Sequence, residues 1–216
     1  MKTRLRLLAT LVLTAALPAL GTAAEGGPAI KARFVSDDTA EVAEVRRLGE
    51  DAINRLAVTL VREVAGAIAR DGPEAAVDVC HLKNLPVTNG TVAGLPRITA
   101  VKRTSLKLRN PANAPDAADQ LALDHIRLQM ENGDAPSSLL IQRVESPSAP
   151  PEWRVYKPLG TTANCLVCHG DPAEQPDALR AKLNQLYPAD QATGYSAREW
   201  RGLIRVTVAD APAKKP

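Results

Sequence analysis

The chain has 216 residues, of which 27 are Lys or Arg and 24 are Asp or Glu. Three of the basic residues, and none of the acidic ones, lie in the first 24 positions, so the remainder carries 24 charges of each sign. This balance gives no support to a nucleic-acid partner or to an anionic membrane surface, and about 190 remaining residues suit one domain.

The first 24 residues have the composition of a signal peptide. Basic residues are followed by an apolar run from Leu7 to Leu20 and by the small residues Thr22-Ala23-Ala24. Pro18 interrupts the apolar run, which is shorter than the ~20 residues that a bilayer span requires. We therefore expect cleavage near Ala24, a periplasmic mature protein and no stable membrane insertion.

A linker over residues 25–36 and a long amphipathic helix are expected next. Asp38 can cap the helix with Glu41 three residues on, and apolar residues then recur at steps of three and four up to Arg70. At ~1.5 Å per residue this helix is about 50 Å long, so one end could project or pair with a second copy in a homodimer. Gly72-Pro73 ends it and opens a short second helix that carries Cys80 and His81.

The rest of the chain alternates between strand and helix patterns. Strands are predicted at Arg97–Val101, with a continuation to Arg109, and at Leu139–Val144, Trp153–Tyr156 and Leu203–Val208. A turn is predicted at Asn89-Gly90. Helices are predicted at Pro115–Glu131 and Pro176–Leu186, and a disordered tail at residues 211–216. Helices that flank a mainly antiparallel sheet give an α+β fold, with one domain over residues 37–210.

The most informative motif is Cys165-Leu166-Val167-Cys168-His169, which has the Cys-x-x-Cys-His spacing of a c-type haem attachment site. The two thiols add to the vinyl groups of one porphyrin, and His169 ligates the iron. Zinc binding would need two more Cys or His ligands at similar spacing, and a thioredoxin-like dithiol would need a βαβ context, neither of which the sequence provides. Cys80 remains as the third cysteine of the chain.

Several segments resemble the PAS-like c-type haem domains of bacterial and cyanobacterial exported proteins, long catalogued only as a domain of unknown function. The matching segments are Ala75–Cys80, Arg103–Asp116, Lys157-Pro158, Cys165–Gly170, Tyr187–Asp190 and Gly194-Tyr195. This resemblance implies a five-stranded PAS-like sheet with an N-terminal helix and one covalent haem. It also implies that His169 and Cys80 are the two axial ligands.

The residues themselves leave the sixth ligand open among Cys80, His81, His125, Met130 and no ligand at all. Cys80 falls on the same helical arc as Ala76 and Val77, and an inert buried cysteine is the alternative interpretation. His125 and Met130 each share a helical face with leucine or isoleucine, which favours a core position for both.

Anionic haem propionates are expected to meet basic and polar residues of the segment Arg97–Pro115, which contains five basic residues and no acidic one. The candidates are Arg103, Thr104, Ser105, Lys107, Arg109 and Asn113, with Lys157 and Tyr195 as further ones. Alternatively, Asn110, Asn113 and Asp116 serve only to cap and turn the chain.

These features favour a low-potential electron-transfer protein that works with a redox partner protein. The alternative is a redox or diatomic-gas sensor that signals through a separate partner, an analogy based on the fold alone. An enzyme such as a peroxidase ranks third, because it needs an open iron site with an acid–base residue and His125 is the only candidate for that role.

Overall fold

A five-stranded antiparallel sheet forms the centre of the computed structural model, which describes residues 30–79, 87–88, 91–92 and 94–211. The elements in chain order are β1 Lys31–Phe34, α1 Ala40–Asp71, α2 Pro73–Val79, β2 Val87–Thr88, β3 Thr91–Val92, β4 Ile98–Thr104, α3 Ala117–Glu131, β5 Leu140–Ser146, β6 Ala149–Gly160, α4 Ala163–His169, α5 Asp177–Leu186 and β7 Trp200–Ala209. The strand order is β1-β5-β6-β7-β4, and β2 and β3 form a separate pair. The predicted α+β, PAS-like class is confirmed.

The two faces of the sheet bury different kinds of side chain. Along β6, Trp153 and Val155 point into the core beneath α1, whereas Arg154 and Tyr156 point towards the face that α3 covers. This alternation follows from the two-residue period of a strand. One face is therefore apolar, and the other combines apolar residues with charged groups.

Helix α1 has 32 residues and is about 48 Å long. Its first half packs closely on the sheet, since a Cβ atom added at Gly49 would lie 2.5 Å from the Val155 side chain. Its second half extends beyond that core, and there Val58 and Val61 are 67% and 53% exposed. Among the described residues, no helix is both long and apolar enough to cross a membrane.

The capping residues of α1 and α3 test the predicted ends of these helices. Thr39, not Asp38, caps α1, because its hydroxyl accepts a hydrogen bond from the backbone N–H of Val42. The helix ends as predicted at Gly72, whose φ of 86° suits glycine. Asp116 caps α3 in a capping box with Asp119.

Part of the predicted linker is a strand. Lys31–Phe34 pairs with β5 and supplies the fifth strand of the sheet. The sequence gives little sign of it, because this edge strand is largely exposed and lacks the alternation of apolar residues that marks a half-buried strand. The expected linker over residues 25–36 is wrong for these four residues.

The predicted continuation of the β4 strand to Arg109 is also wrong. The strand ends at Thr104, and Ser105 then turns the chain by accepting a hydrogen bond at Oγ from the backbone N–H of Lys107. A short 3-10 helix follows at Pro111–Asn113, capped by the Asn110 side chain. Hydroxyl and amide side chains that bond to nearby backbone compete with strand pairing, which explains the end of the strand.

Other expectations concern residues outside the described ranges. These are the signal peptide at residues 1–24, Cys80, His81, the Asn89-Gly90 turn and residues 212–216 of the predicted tail. The pairs Val87–Thr88 and Thr91–Val92 lie on either side of that turn and are antiparallel.

Candidate functional site

A cavity lies at the end of the sheet where β4 and β6 finish and β7 begins. The second half of α1 contributes Leu60 and Val64 to its wall, and α2 contributes Ala76 and Val77. Leu183 of α5 closes another side. Most of this wall is apolar, so the cavity suits a large apolar group.

The Cys-x-x-Cys-His motif forms the short helix α4, which sequence analysis did not predict. Cys165, Cys168 and His169 all line the cavity. Residues three apart lie on one side of a helix, so the two thiol-bearing positions are neighbours there. Gly170 ends α4, and a Cβ atom at this position would lie 2.6 Å from the carbonyl oxygen of Leu166.

The imidazole of His169 has a defined tautomer. Its Nδ1 lies 2.6 Å from the carbonyl oxygen of Ala192, which can only accept, so Nδ1 carries the proton and Nε2 has the lone pair. Burial lowers the pKa of His169 to about 3, and the positive charges of Arg109 and Arg201 act in the same direction. The ring is neutral at pH 7, as a metal-binding imidazole must be.

Arg109 holds the segments on both sides of His169. Its Nε donates to Asp190 Oδ2 at 2.8 Å, and its Nη2 donates to the carbonyl oxygens of Cys168 at 2.5 Å and Ala192 at 3.3 Å. Asp190 also accepts at Oδ1 from the backbone N–H of Ala192. This clamp fixes the carbonyl group that orients the imidazole.

Arg201 is a lining residue that sequence analysis missed. Its Nη1 donates to Ser105 Oγ at 2.6 Å and to the carbonyl oxygen of Lys107 at 3.1 Å, while its Nε is buried and has no hydrogen-bond partner among the described residues. Burial lowers the pKa of Arg201, and the charges of Arg103 and Arg109 act in the same direction. Its place beside Gly202, just before the strand predicted at Leu203–Val208, is the signal that the sequence offers for it.

Gly202 allows β7 to approach the end of β4. Its φ is 143°, and a Cβ atom there would lie 2.3 Å from the carbonyl oxygen of Thr104 and 2.9 Å from Ser105 Cβ. The close approach brings Arg201 and Ser105 together although 96 positions separate them.

The structure gathers most of the other predicted binding residues at this cavity. Arg103, Thr104, Ser105, Arg109 and Asn113 line it. The Tyr195 ring stands edge-on to His169, with ring centroids 6.3 Å apart, and has the Lys107 ammonium 4.4 Å from its centroid. Lys157 instead donates to Asn54 of α1.

The two sixth-ligand candidates on α3 are not among the cavity-lining residues. The His125 ring contacts Phe34, with ring centroids 4.7 Å apart. Met130 is 42% exposed, and Leu121 and Leu128, which share the helical face of His125, are 41% and 50% exposed. The expected core position of Met130 is therefore wrong and His125 is only half-buried, because α3 buries the stripe around Leu123.

Two comparisons with known proteins found a match. A sequence model of the Tll0287-like family, described as Tll0287, matches residues 41–209. A solved structure titled "Crystal structure of the cyanobacterial heme-protein Tll0287" matches with 27% identity and a TM-score of 0.41. The match covers 51% of this chain and 61%, less than two thirds, of that one. No curated protein matches. Because the family match spans well over half of the sequence, the chain belongs to the Tll0287-like family.

Proposed function

We propose that the chain is an exported, periplasmic c-type cytochrome with one covalent haem in this cavity. Cys165 and Cys168 form the thioether bonds, His169 and Cys80 are the axial ligands, and the protein transfers electrons at low potential to and from a redox partner. Haem iron supplies a one-electron couple between its ferric and ferrous states.

The observation that carries this proposal is the position of the motif on the cavity wall. Helix α4 presents both cysteines and the histidine to one enclosed space, next to the apolar side chains of α1 and α2. Membership of the Tll0287-like family, for which a solved relative is titled a haem protein, supports the same cofactor.

The surrounding residues fit a haem. The apolar wall from α1, α2 and α5 suits the porphyrin ring, and the neutral His169 imidazole has its Nε2 lone pair available. The hydrogen bond from Nδ1 to Ala192 fixes the ring and increases the basicity of Nε2, as is usual for a metal-ligating histidine. Arg103, Arg109 and Arg201 supply positive charge for an anionic group.

Cys80 as the second axial ligand is supported by its neighbours in α2. Ala76 and Val77, four and three positions before it, both face the cavity. A thiolate ligand carries a negative charge, which stabilises ferric iron, so we expect a lower potential than that of a cytochrome with a methionine ligand.

The first experiment compares the wild-type protein with Cys80→Ala, both produced with haem-maturation machinery. We expect the haem to stay attached to the wild-type protein after denaturation. A Cys165→Ser/Cys168→Ser variant should lose it. The ferric wild type should give a low-spin EPR spectrum with a narrow g spread that Cys80→Ala abolishes. A broad bis-histidine spectrum unchanged by Cys80→Ala would reject the thiolate ligand, and a protein without haem would reject the function.

A sensing role is the second candidate, and the tethering of α2 favours it. Lys182 of α5 donates to Asp78 at 2.6 Å and to the carbonyl oxygen of Glu74 at 2.8 Å, so α5, which follows the motif, holds the helix that leads to Cys80. If the Cys80 thiolate left the iron, the change in α2 would be transmitted to α5 through these contacts. Binding of CO or NO to the reduced protein supports sensing, whereas a reduced protein that binds neither gas contradicts it.

A further inference from the structure

The cavity has an imbalance of charge. Three arginines, Arg103, Arg109 and Arg201, are among its described lining residues, and no Asp or Glu is. Cations that are removed from water need an anionic or hydrogen-bonding partner, because the cost of desolvation is otherwise not offset. The hydrogen-bond and ion-pair partners of each guanidinium therefore indicate its role.

Arg109 already has its partners within the protein. Its ion pair with Asp190 is 2.8 Å long, and both side chains are close to 12% exposed. The carbonyl oxygens of Cys168 and Ala192 accept from Nη2. These contacts assign Arg109 to positioning α4 and the Ala192 segment.

Arg201 differs, because its partners leave one edge of the guanidinium without an acceptor. Its hydrogen bonds to described residues come from Nη1 and go to Ser105 and the Lys107 carbonyl group, and it makes no ion pair with a described carboxylate. Nε lies on the opposite edge and is buried. Six side-chain atoms of the described residues are buried without a partner, and of their residues only Thr104 and Arg201 line the cavity. Nearly all buried polar groups in proteins have a partner, so a buried guanidinium N–H at the cavity indicates an acceptor that the described residues do not supply.

The surroundings hold this guanidinium in place. Ser105 Oγ, which accepts from Nη1 of Arg201, donates in turn to the backbone, with the carbonyl oxygens of Arg201 and Lys107 at 2.8 and 3.0 Å. The Cζ atom of Arg201 lies over the Tyr195 ring, 5.3 Å from the ring centroid. A fixed arginine with its Nε edge available matches the two oxygens of a carboxylate side-on.

We propose that Arg201 is the anchor for a propionate carboxylate of the bound haem, with Ser105 and Tyr195 holding its guanidinium in position. This inference rests on the proposed function, because the carboxylate belongs to the cofactor. It assigns the propionate contact to a residue of β7, 36 and 33 positions after Cys165 and Cys168 in the sequence.

The test compares haem-loaded Arg201→Gln and Arg201→Lys with the wild type and with Arg127→Gln. Arg127 is a matched control, because it is an exposed arginine on α3 that pairs with Asp124 and Glu131. Covalent haem content is measured first. Resonance Raman spectra then report the propionate bending band, which moves to lower frequency when hydrogen bonds to the carboxylate are lost, and redox titration reports the midpoint potential.

We expect equal covalent haem in all four proteins, because Arg201 takes no part in thioether formation. Arg201→Gln should shift the propionate band down and lower the midpoint potential, Arg201→Lys should shift the band by less, and Arg127→Gln should change neither. A fully loaded Arg201→Gln protein with an unchanged band overturns the assignment and leaves the proposed function intact. Absence of covalent haem from the wild type overturns both. If Arg201→Gln fails to fold, an unchanged band in Arg201→Lys overturns the assignment.

Discussion

Two groups of charged residues on this sheet differ in how their charges are balanced. Beneath α3, the carboxylate of Asp119 is fully buried and accepts hydrogen bonds from Lys102, Arg154 and Arg205. Asp116 and Glu152 complete this cluster, which we call the Asp119 cluster, so that three cations face three carboxylates. The described lining of the cavity, in contrast, includes three arginines and no carboxylate, and Asp190 pairs with one of the three, Arg109.

The difference separates charges with a full set of protein partners from the guanidinium of Arg201, whose Nε is buried and has no acceptor among the described residues. In the Asp119 cluster every charged side chain pairs with an opposite charge of the protein, although Nε of Arg205 is also buried without a partner among the described residues. The hydroxyl of Tyr156 donates to the Asp119 carboxylate. Burial raises the pKa of Tyr156 and the charge of Asp119 raises it further, so this tyrosine stays protonated. In the cavity, positive charge is in excess, as a site for an anionic cofactor requires.

The strongest test of this comparison is removal of the central carboxylate by Asp119→Asn. Three buried cations would then face two carboxylates, and we expect a loss of about 3 to 5 kcal/mol in the free energy of unfolding. Urea denaturation measures it. Asp124→Asn on the same helix is the control, because its pair with Arg127 is exposed to solvent and contributes little to stability. Equal effects of the two substitutions would remove the distinction between the cluster and the surface.

In the cavity, Arg109→Gln should lower the free energy of unfolding by about 2 to 3 kcal/mol. The substitution leaves Asp190 without its ion pair and the Cys168 carbonyl group with one donor fewer. The same denaturation experiment applies. Arg180→Gln, which removes an exposed pair with Asp177, is expected to cost at most about 0.5 kcal/mol. A small effect of Arg109→Gln would mean that Arg109, like Arg201, is reserved for a ligand.

His169 gives the stability of the haem-free chain a dependence on pH near neutrality. Its pKa of about 3 in the folded chain lies below the ordinary value of 6.5, so below pH 6.5 the unfolded chain binds a proton that the folded chain does not. The stability of the haem-free chain should therefore fall as the pH falls, by up to about 2 kcal/mol from pH 7 to pH 5. The loss should be smaller in His169→Gln, and equal losses in both proteins would show that His169 is not responsible.

The smallest effect is expected for Lys182→Met, which removes the tether between α5 and α2. The Asp78 carboxylate is largely exposed although Lys182 is not, so solvent screens the pair and the global free energy of unfolding should change by less than about 1 kcal/mol. Hydrogen exchange should nevertheless become faster in α2, because local opening no longer breaks this contact. Lys157→Met, which releases Asn54 of α1, is the control and should leave α2 unchanged. Unaltered exchange in α2 would mean that packing of Val77 holds the helix without the tether.

The sequence predicted most of the helices and strands, but it predicted their ends less well. The end of α1 at Gly72 is a local signal and is confirmed, and α3 begins two residues after the predicted start near Pro115, with Asp116 as its cap. The edge strand at Lys31–Phe34 was missed, since pairing with β5 stabilises it and apolar burial does not. His125 and Met130 were expected in the core, because helical periodicity alone does not say which stripe of α3 is buried.

The sequence by itself determined the features that depend on residues close together in the chain. These are the Cys-x-x-Cys-His spacing, the long amphipathic helix and the α+β class. Only the tertiary structure decided which distant groups meet. Arg109 lies 81 positions from Asp190, and Arg201 lies 96 positions from Ser105. Such contacts leave no local pattern, because they arise from the pairing of β4 with β7 and from the fold of the chain around the cavity.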